Sequence, residues 1–300
     1  MRLIDLRCDW ALQYAAESTL YVPGEHPEIP GRVDRLDGYL TGVETAVLVC
    51  RPATAEPARH SDPWRALGET ITRHEAEFAG RLLIDPDDAA RSRAQPADGL
   101  CRGVLAVAGL DDLVRAPADL DRLPLLFERG VRVFEPVSGE LARPFLERLL
   151  ALAPDGEGTR PAVDLTDADD ATAAAILDWF EAEPTRAARL PLLRSAVGSE
   201  TSADVVRRLR GLGATLGVSP TPTVEAFRDA IESLAAIPFR GRAGYEGIGV
   251  ATDYLRIDRA ASELSAVARL ASWIAANHPA RVARALIFEN ARGFLRSIVG

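Results

Sequence analysis

Residues 161–194 read PAVDLTDADDATAAAILDWFEAEPTRAARLPLLR. An apolar run, Pro161 to Leu165, opens the segment. A helical stretch from Ala168 to Glu183 follows, with Ile176, Leu177 and Phe180 on one face. A second apolar run, Leu190 to Arg194, closes it. Continuous rather than alternating apolar runs are the mark of strands buried on both faces, and a helix between two such strands makes a parallel β-α-β unit.

The unit recurs in both directions. Further strands are expected at Arg2 to Leu6, Glu44 to Cys50, Cys101 to Val107, Val131 to Glu135, Ala214 to Val218 and Glu246 to Ala251. Helices are expected at Pro63 to Ala79, Arg143 to Leu152, Ser202 to Leu212, Thr221 to Leu234, Arg256 to Asn277 and Pro279 to Phe288. Ser202 and Gly213 form a cap pair, and Thr221-Pro222 and Pro279 are first-turn signals. Eight strands interleaved with helices predict an α/β fold of the (β/α)8 TIM-barrel type, as a single domain over 1–300. An open doubly wound sheet is the alternative, but no GxGxxG follows the first strand. The stretch from Val22 to Thr41, rich in Pro and Gly, is suited to covering one mouth.

Composition removes several chemistries. Of 300 residues, 47% are hydrophobic and the formal net charge is -9, so the chain is neither disordered nor a general nucleic-acid binder. No apolar run approaches a membrane span and the N-terminus does not read as a signal peptide, which predicts a cytoplasmic protein with no membrane partner. All 35 basic residues are arginine, which excludes Schiff-base chemistry and a phosphate-loop lysine. Only His26, His60, His74 and His278 are present, without ligand spacing. Cys8, Cys50 and Cys101 form no paired motif and read as reduced, buried thiols.

In a barrel, chemistry sits at the C-terminal ends of the strands. Those ends offer Asp5, Arg7 and Asp9; Glu135 and Ser138; Asp164 and Asp167; Arg194 and Ser195; and Thr252 and Asp253. Each has a plainer role beside it. Asp167 suits a helix N-cap before Ala168, Asp253 a loop start, and Arg7 with Asp9 a surface pair. His74 reads as a surface residue of a helix and His278 as a helix-start residue. Trp10, Tyr14 and Tyr21 suit a pocket wall or core packing equally.

The ordered motifs resemble the membrane (renal) dipeptidase family of zinc peptidases. They are Asp5-Leu-Arg-Cys-Asp9, Phe127-Glu-Arg-Gly-Val-Arg-Val133, Asp164-Leu-Thr-Asp167, Pro191-Leu-Leu-Arg-Ser-Ala196, Gly213-Ala-Thr-Leu-Gly-Val218, Gly247 to Asp253, and Asn290 to Arg296. The resemblance implies a metal-dependent-hydrolase barrel in which two zinc ions activate a bridging water to cleave dipeptides. Most of the ligands it implies are replaced. One histidine falls on Arg7, another on Asp167, a third on Ala196, and the bridging glutamate on Ala108. The substrate-polarising histidine falls near Ser138. Only Asp9 and Asp253 keep the family's residue type.

The expectation is therefore a divergent, dipeptidase-like barrel that has lost its dinuclear site, non-catalytic or of altered function. Arg7, Asp9, Asp167, Ser195 and Asp253 form its vestigial pocket, and an arginine–carboxylate network replaces the metal. The expected ligand is small and polar, a peptide or another amide, and no cofactor is expected. The alternative is an active amide hydrolase using one zinc or other divalent ion on Asp9, Asp167 and Asp253, or a metal-free carboxylate pair. A homodimer through Trp273 and Ile274 of the late helices competes with ordinary core packing of those residues.

Overall fold

The computed structural model describes residues 2–10, 39, 42–52, 62–88, 90, 99–198, 201–253 and 260–300. Tyr14, Tyr21, His26, His60 and most of the 22–41 stretch lie outside them.

Eight parallel strands close into a barrel in sequence order. They are β1 (Leu3–Cys8), β2 (Val43–Cys50), β3 (Arg102–Val107), β4 (Val131–Phe134), β5 (Ala162–Asp164), β6 (Leu192–Arg194), β7 (Thr215–Val218) and β8 (Ile248–Val250). The seam is the pairing of β1 with β8, through Asp5 and Val250. The open-sheet alternative is thereby excluded. Every expected strand is present, trimmed by a residue or two at most ends.

The outer layer holds α1 (Pro63–Glu77), α2 (Leu123–Glu128), α3 (Ala142–Leu152), α4 (Asp170–Glu181), α5 (Ala203–Leu212), α6 (Val224–Ala236), α7 (Val267–Asn277), α8 (Ala280–Arg284) and α9 (Asn290–Val299). Capping explains several starts. Asp62 accepts from the Trp64 and Arg65 amides ahead of Pro63, and Ser202 accepts from the Val205 amide. Gly213 ends α5 at φ 83°, a left-handed position that glycine takes without strain.

Three helix starts differ from expectation. Helix α4 is capped by Asp169, whose carboxylate accepts from Thr172 N, and not by Asp167. Helix α6 begins at Val224 with Thr223 as its cap, since Thr221 instead bonds its hydroxyl to the Thr223 carbonyl. Helix α7 begins at Val267 rather than Arg256; 254–259 are outside the described residues.

The core has two layers. Between strands and helices sit Phe145, Leu146 and Leu149 of α3 with Ile176, Leu177 and Phe180 of α4, all fully buried. Inside the barrel, Val49, Val133, Ala162 and Leu193 belong to a second cluster with Ile4 and Leu6. Phe294, Leu295 and Ile298 of α9 join that cluster, and Arg160 N donates to the Ile298 carbonyl just ahead of β5. Helix α9 therefore closes the base. Glycines permit close strand approach on the way up: a Cβ on Gly217 would lie 1.9 Å from the Ser195 carbonyl oxygen. Trp273 packs edge-on against Phe227 and Ile274 is fully buried, so both serve the helical layer of their own barrel. Among the described residues no helix is long and apolar enough to cross a membrane.

Candidate functional site at the barrel mouth

The period of two along a strand carries the inner face upward to the mouth. Two residues beyond inward Val49, Val133, Ala162 and Leu193 come Arg51, Glu135, Asp164 and Ser195. Each is the last residue of its strand or the first after it. Arg194, one position off, falls on the opposite face from Ser195. In β1 the register with β2 shifts between Asp5 and Cys8, so simple alternation fails there.

Asp5 accordingly leaves the group expected at this end. Its carboxylate accepts from Tyr39 Oη at 2.6 Å, Thr252 N at 2.8 Å and Arg7 N at 3.1 Å. Burial raises its pKa to about 6 against those donors.

Arg7 lies at the centre of the mouth, 2% exposed. Its Nη1 donates to Glu135 Oε1 and to Ser195 Oγ, both at 3.1 Å. Its Nη2 donates to Asp167 Oδ2 at 3.1 Å. Asp164 lies 3.7 Å from Nη1, and Asp253 and Asp9 lie 3.6 and 3.9 Å from Nε. The structure thus brings together all five expected pocket residues, Arg7, Asp9, Asp167, Ser195 and Asp253. Arg7 and Asp9 are not a surface pair, and Asp167 is a mouth residue rather than a helix cap. Asp253 takes a left-handed φ of 45°, and its amide donates to the Arg7 carbonyl at 3.0 Å.

Three participants, Glu135, Arg51 and Asp164, lie outside that set. Glu135 closes one side, its Oε2 accepting from Gly109 N at 3.2 Å. Arg51 bridges the rim, donating to Asp9 at 3.3 Å and Asp167 at 3.1 Å. The signal for Arg51 was available: it is the first residue after a strand. Asp164 holds its place through Ser195 N at 2.9 Å, the Ser195 hydroxyl, and Thr166 Oγ1 at 2.6 Å.

Burial opposes a charge on Arg7, but Asp9, Glu135, Asp164 and Asp167 outweigh it and push its pKa well above the ordinary arginine value. Burial pushes Asp9 and Asp167 up, yet Arg7 and then Arg51 hold both below the usual carboxylate range. Glu135 goes the other way. Burial dominates and raises it to about 8, despite Arg7. Two carboxylates on one wall are thereby driven apart in proton affinity.

A cleft of about 310 Å³ opens beside the network, lined in part by Arg51, Gly109, Asp111, Glu135, Ser138 and Asp167. Ser138 does not reach Arg7; its amide and hydroxyl donate to Asp111 at 2.7 and 2.8 Å. Trp10 is core, packed on Phe78 with its indole donating to Glu77 at 2.7 Å. His74 is fully buried rather than on the surface, its Nδ1 2.9 Å from the Thr70 carbonyl. Cys8, Cys50 and Cys101 are free and buried, and burial drives their thiol pKa values up, away from the thiolate form.

The donor set does not fit a zinc pair. Zinc sites are built from histidine, cysteine and carboxylate ligands, and among the described residues no histidine or thiolate belongs to this cluster. Among the described residues no group of three or more His, Cys, Asp or Glu side chains is arranged to hold a metal ion. The carboxylates that would have to converge on an ion converge on a guanidinium.

Among solved structures, the chain is similar to dipeptidase AC, a metallopeptidase, at 16% identity and a TM-score of 0.67, over 100% of this chain and 99% of that one. It is also similar to an amidohydrolase from Pseudomonas aeruginosa, at 14% identity and a TM-score of 0.62, over 100% and 97% of the two chains. No family model matches the chain, and no curated protein matches it. At such identities the likeness is one of architecture, and it agrees with the order of motifs along the sequence: the chain has a membrane-dipeptidase-like (β/α)8 fold.

Proposed function

We propose that this barrel binds a small polar ligand at its mouth, beside an arginine–carboxylate network that stands where a hydrolase of this fold would hold metal, and that its role is non-catalytic or altered. The observation that carries the proposal is the seating of Arg7 among Asp9, Glu135, Asp164, Asp167 and Asp253. A tethered cation at the centre leaves no room for a dinuclear ion pair on the same oxygens. The adjoining cleft, about 310 Å³, is at the lower end of small-molecule pockets. Its walls carry acceptors on Asp111 and Asp167 and a donor on Arg51, which suits the N–H and C=O groups of a peptide or another amide. The buried free cysteines accord with a reducing, cytoplasmic setting.

The test is thermal melting of the protein with a panel of dipeptides and N-acyl amides, alongside a hydrolysis assay with and without added zinc. The expected result is a saturable rise in Tm for one class, lost in Asp167→Asn, with no turnover. Turnover that scales with added zinc would overturn the proposal.

One observation favours a second reading, a metal-free amide hydrolase. Glu135 and Asp167 share the cleft wall, with Glu135 raised to about 8 and Asp167 lowered. Near neutral pH such a pair offers a protonated acid and a charged base. That reading predicts turnover without metal, abolished by Glu135→Gln, and falling as pH rises past about 8. A single ion on Asp9, Asp167 and Asp253 would require Arg7 to leave the mouth.

A further inference from the structure

We infer that Asp5 is a positioning residue for the barrel mouth: from the seam between β1 and β8 it holds the backbone that carries Arg7 and Asp253, and so sets how those two side chains meet.

The seam is narrow. The ladder joins β1 to β8 through Asp5 and Val250. Two residues further along each segment stand Arg7 and Thr252, and there the fully buried Asp5 side chain takes over from the ladder. Its two oxygens divide the work. Oδ1 accepts from both backbone amides, Arg7 N at 3.1 Å and Thr252 N at 2.8 Å. Oδ2 accepts from two hydroxyls, Tyr39 Oη at 2.6 Å and Thr252 Oγ1. One carboxylate oxygen thus ties the two segments together at their mouth ends.

Those two amides are the ones the network depends on. The Arg7 amide lies within the register shift between Asp5 and Cys8, where the ladder with β2 is interrupted. The Thr252 amide precedes Asp253, whose φ of 45° a residue with a side chain keeps only where its surroundings over-determine it. The Asp253 amide donates to the Arg7 carbonyl at 3.0 Å, and Asp253 Oδ1 lies 3.6 Å from Arg7 Nε. Backbone and side-chain contacts between these residues therefore both rest on the junction that Asp5 clasps. None of the four bonds of Asp5 goes to a side chain of the mouth network, so it acts on the network through the backbone. The clasp also tolerates a proton. Burial raises Asp5 to about 6, but a proton on Oδ2 can be donated to a hydroxyl turned to accept it, while Oδ1 keeps both amides.

The experiment is a double-mutant cycle read as Tm near pH 7. Asp5→Ala should lower Tm in the native background and lower it clearly less in Arg7→Met, where no guanidinium remains to be misplaced. The full fall should return in Arg208→Ala, which removes ion pairs to Asp178 and Glu181 on the outer helices. Asp5→Asn keeps the Oδ1 acceptor and presents an N–H to hydroxyls that can turn to accept it. It should recover most of the loss and show no coupling to Arg7→Met. Should Asp5→Ala be unfolded, Asp5→Ser replaces it, and carbon NMR of the Glu135 carboxyl reads the mouth in the single variant. A displaced mouth admits water, so that titration should fall from about 8 toward 4.5. Equal falls in Tm in both backgrounds, an unmoved Glu135 titration, or no recovery in Asp5→Asn would overturn the inference. No ligand enters the test, so the ligand reading above stands or falls separately.

Discussion

Two arginines of this barrel are equally hidden and oppositely used. Arg210, at the end of α5, is fully buried and donates to three carbonyls: Ile237 at 2.6 Å, Glu246 at 2.9 Å and Gly244 at 2.7 Å. Arg7 is 2% exposed and points into carboxylates. Around Arg210 the hydrogen-bond partners are neutral carbonyls and the Glu246 carboxylate answers the loss of water only in part, so burial lowers its pKa. Around Arg7 the fields of four carboxylates more than answer it, and its pKa rises. Burial of a guanidinium therefore says little about its purpose until its partners are named. Carbonyl partners make a fastener between chain segments; ionised partners make a charge balance that a ligand or an ion can disturb.

The sharpest way to separate the two is deletion at different pH. Arg7→Met should cost about 3–5 kcal/mol near pH 7, because it strands buried carboxylates. Acid should shrink that cost as the carboxylates protonate. Arg210→Met should cost about 2–3 kcal/mol by leaving buried carbonyls unpaired, with no dependence between pH 5 and 8. Urea melts of both variants across that range check the contrast; parallel pH profiles would erase it.

Glu135→Gln probes the network from the acid side. The folded pKa of Glu135, about 8, lies above the ordinary glutamate value of 4.5. The native state thus holds a proton that the unfolded chain releases, and stability from this group falls as pH rises between those two values. Glutamine cannot ionise, so the variant should match the native protein near pH 4.5 and exceed it above pH 8, read as Tm against pH. Asp9 and Asp167, held low, oppose this slope only at more acid pH. The smallest effect belongs to Arg51→Ala. Its side chain is 34% exposed, so the stability cost should be about 0–1 kcal/mol. The expected consequence is a freer Asp167, seen as weaker ligand binding at unchanged Tm.

The barrel itself is legible in the sequence because burial on both faces writes each strand as a continuous run, as in Glu44 to Cys50. Caps were less legible: Asp167 and Asp169 are equally good caps on paper, and only Arg7 and Arg51, contributed by strands far away in the chain, decide that Asp167 faces the mouth. His74 misled for a related reason. Its helix carries a buried stripe, and one polar residue on that stripe satisfied itself with the Thr70 carbonyl. Arg51 and Glu135 could be named as strand-end residues from the sequence, but their convergence on Asp9, Asp167 and Arg7 is a property of closure alone.

The seam has a kinetic consequence. Asp5 accepts from Thr252, 247 residues away, and the Asp253 amide donates to the Arg7 carbonyl across the same junction. Contacts so distant in sequence form late, after the loop-closure entropy of the whole chain has been overcome. Until β8 docks, the mouth charges stay hydrated and contribute little to the transition state. Weakening them should leave the refolding rate nearly unchanged and speed unfolding instead. The charged mouth thus acts as a latch on the closed barrel, setting how long the fold persists rather than how fast it is found.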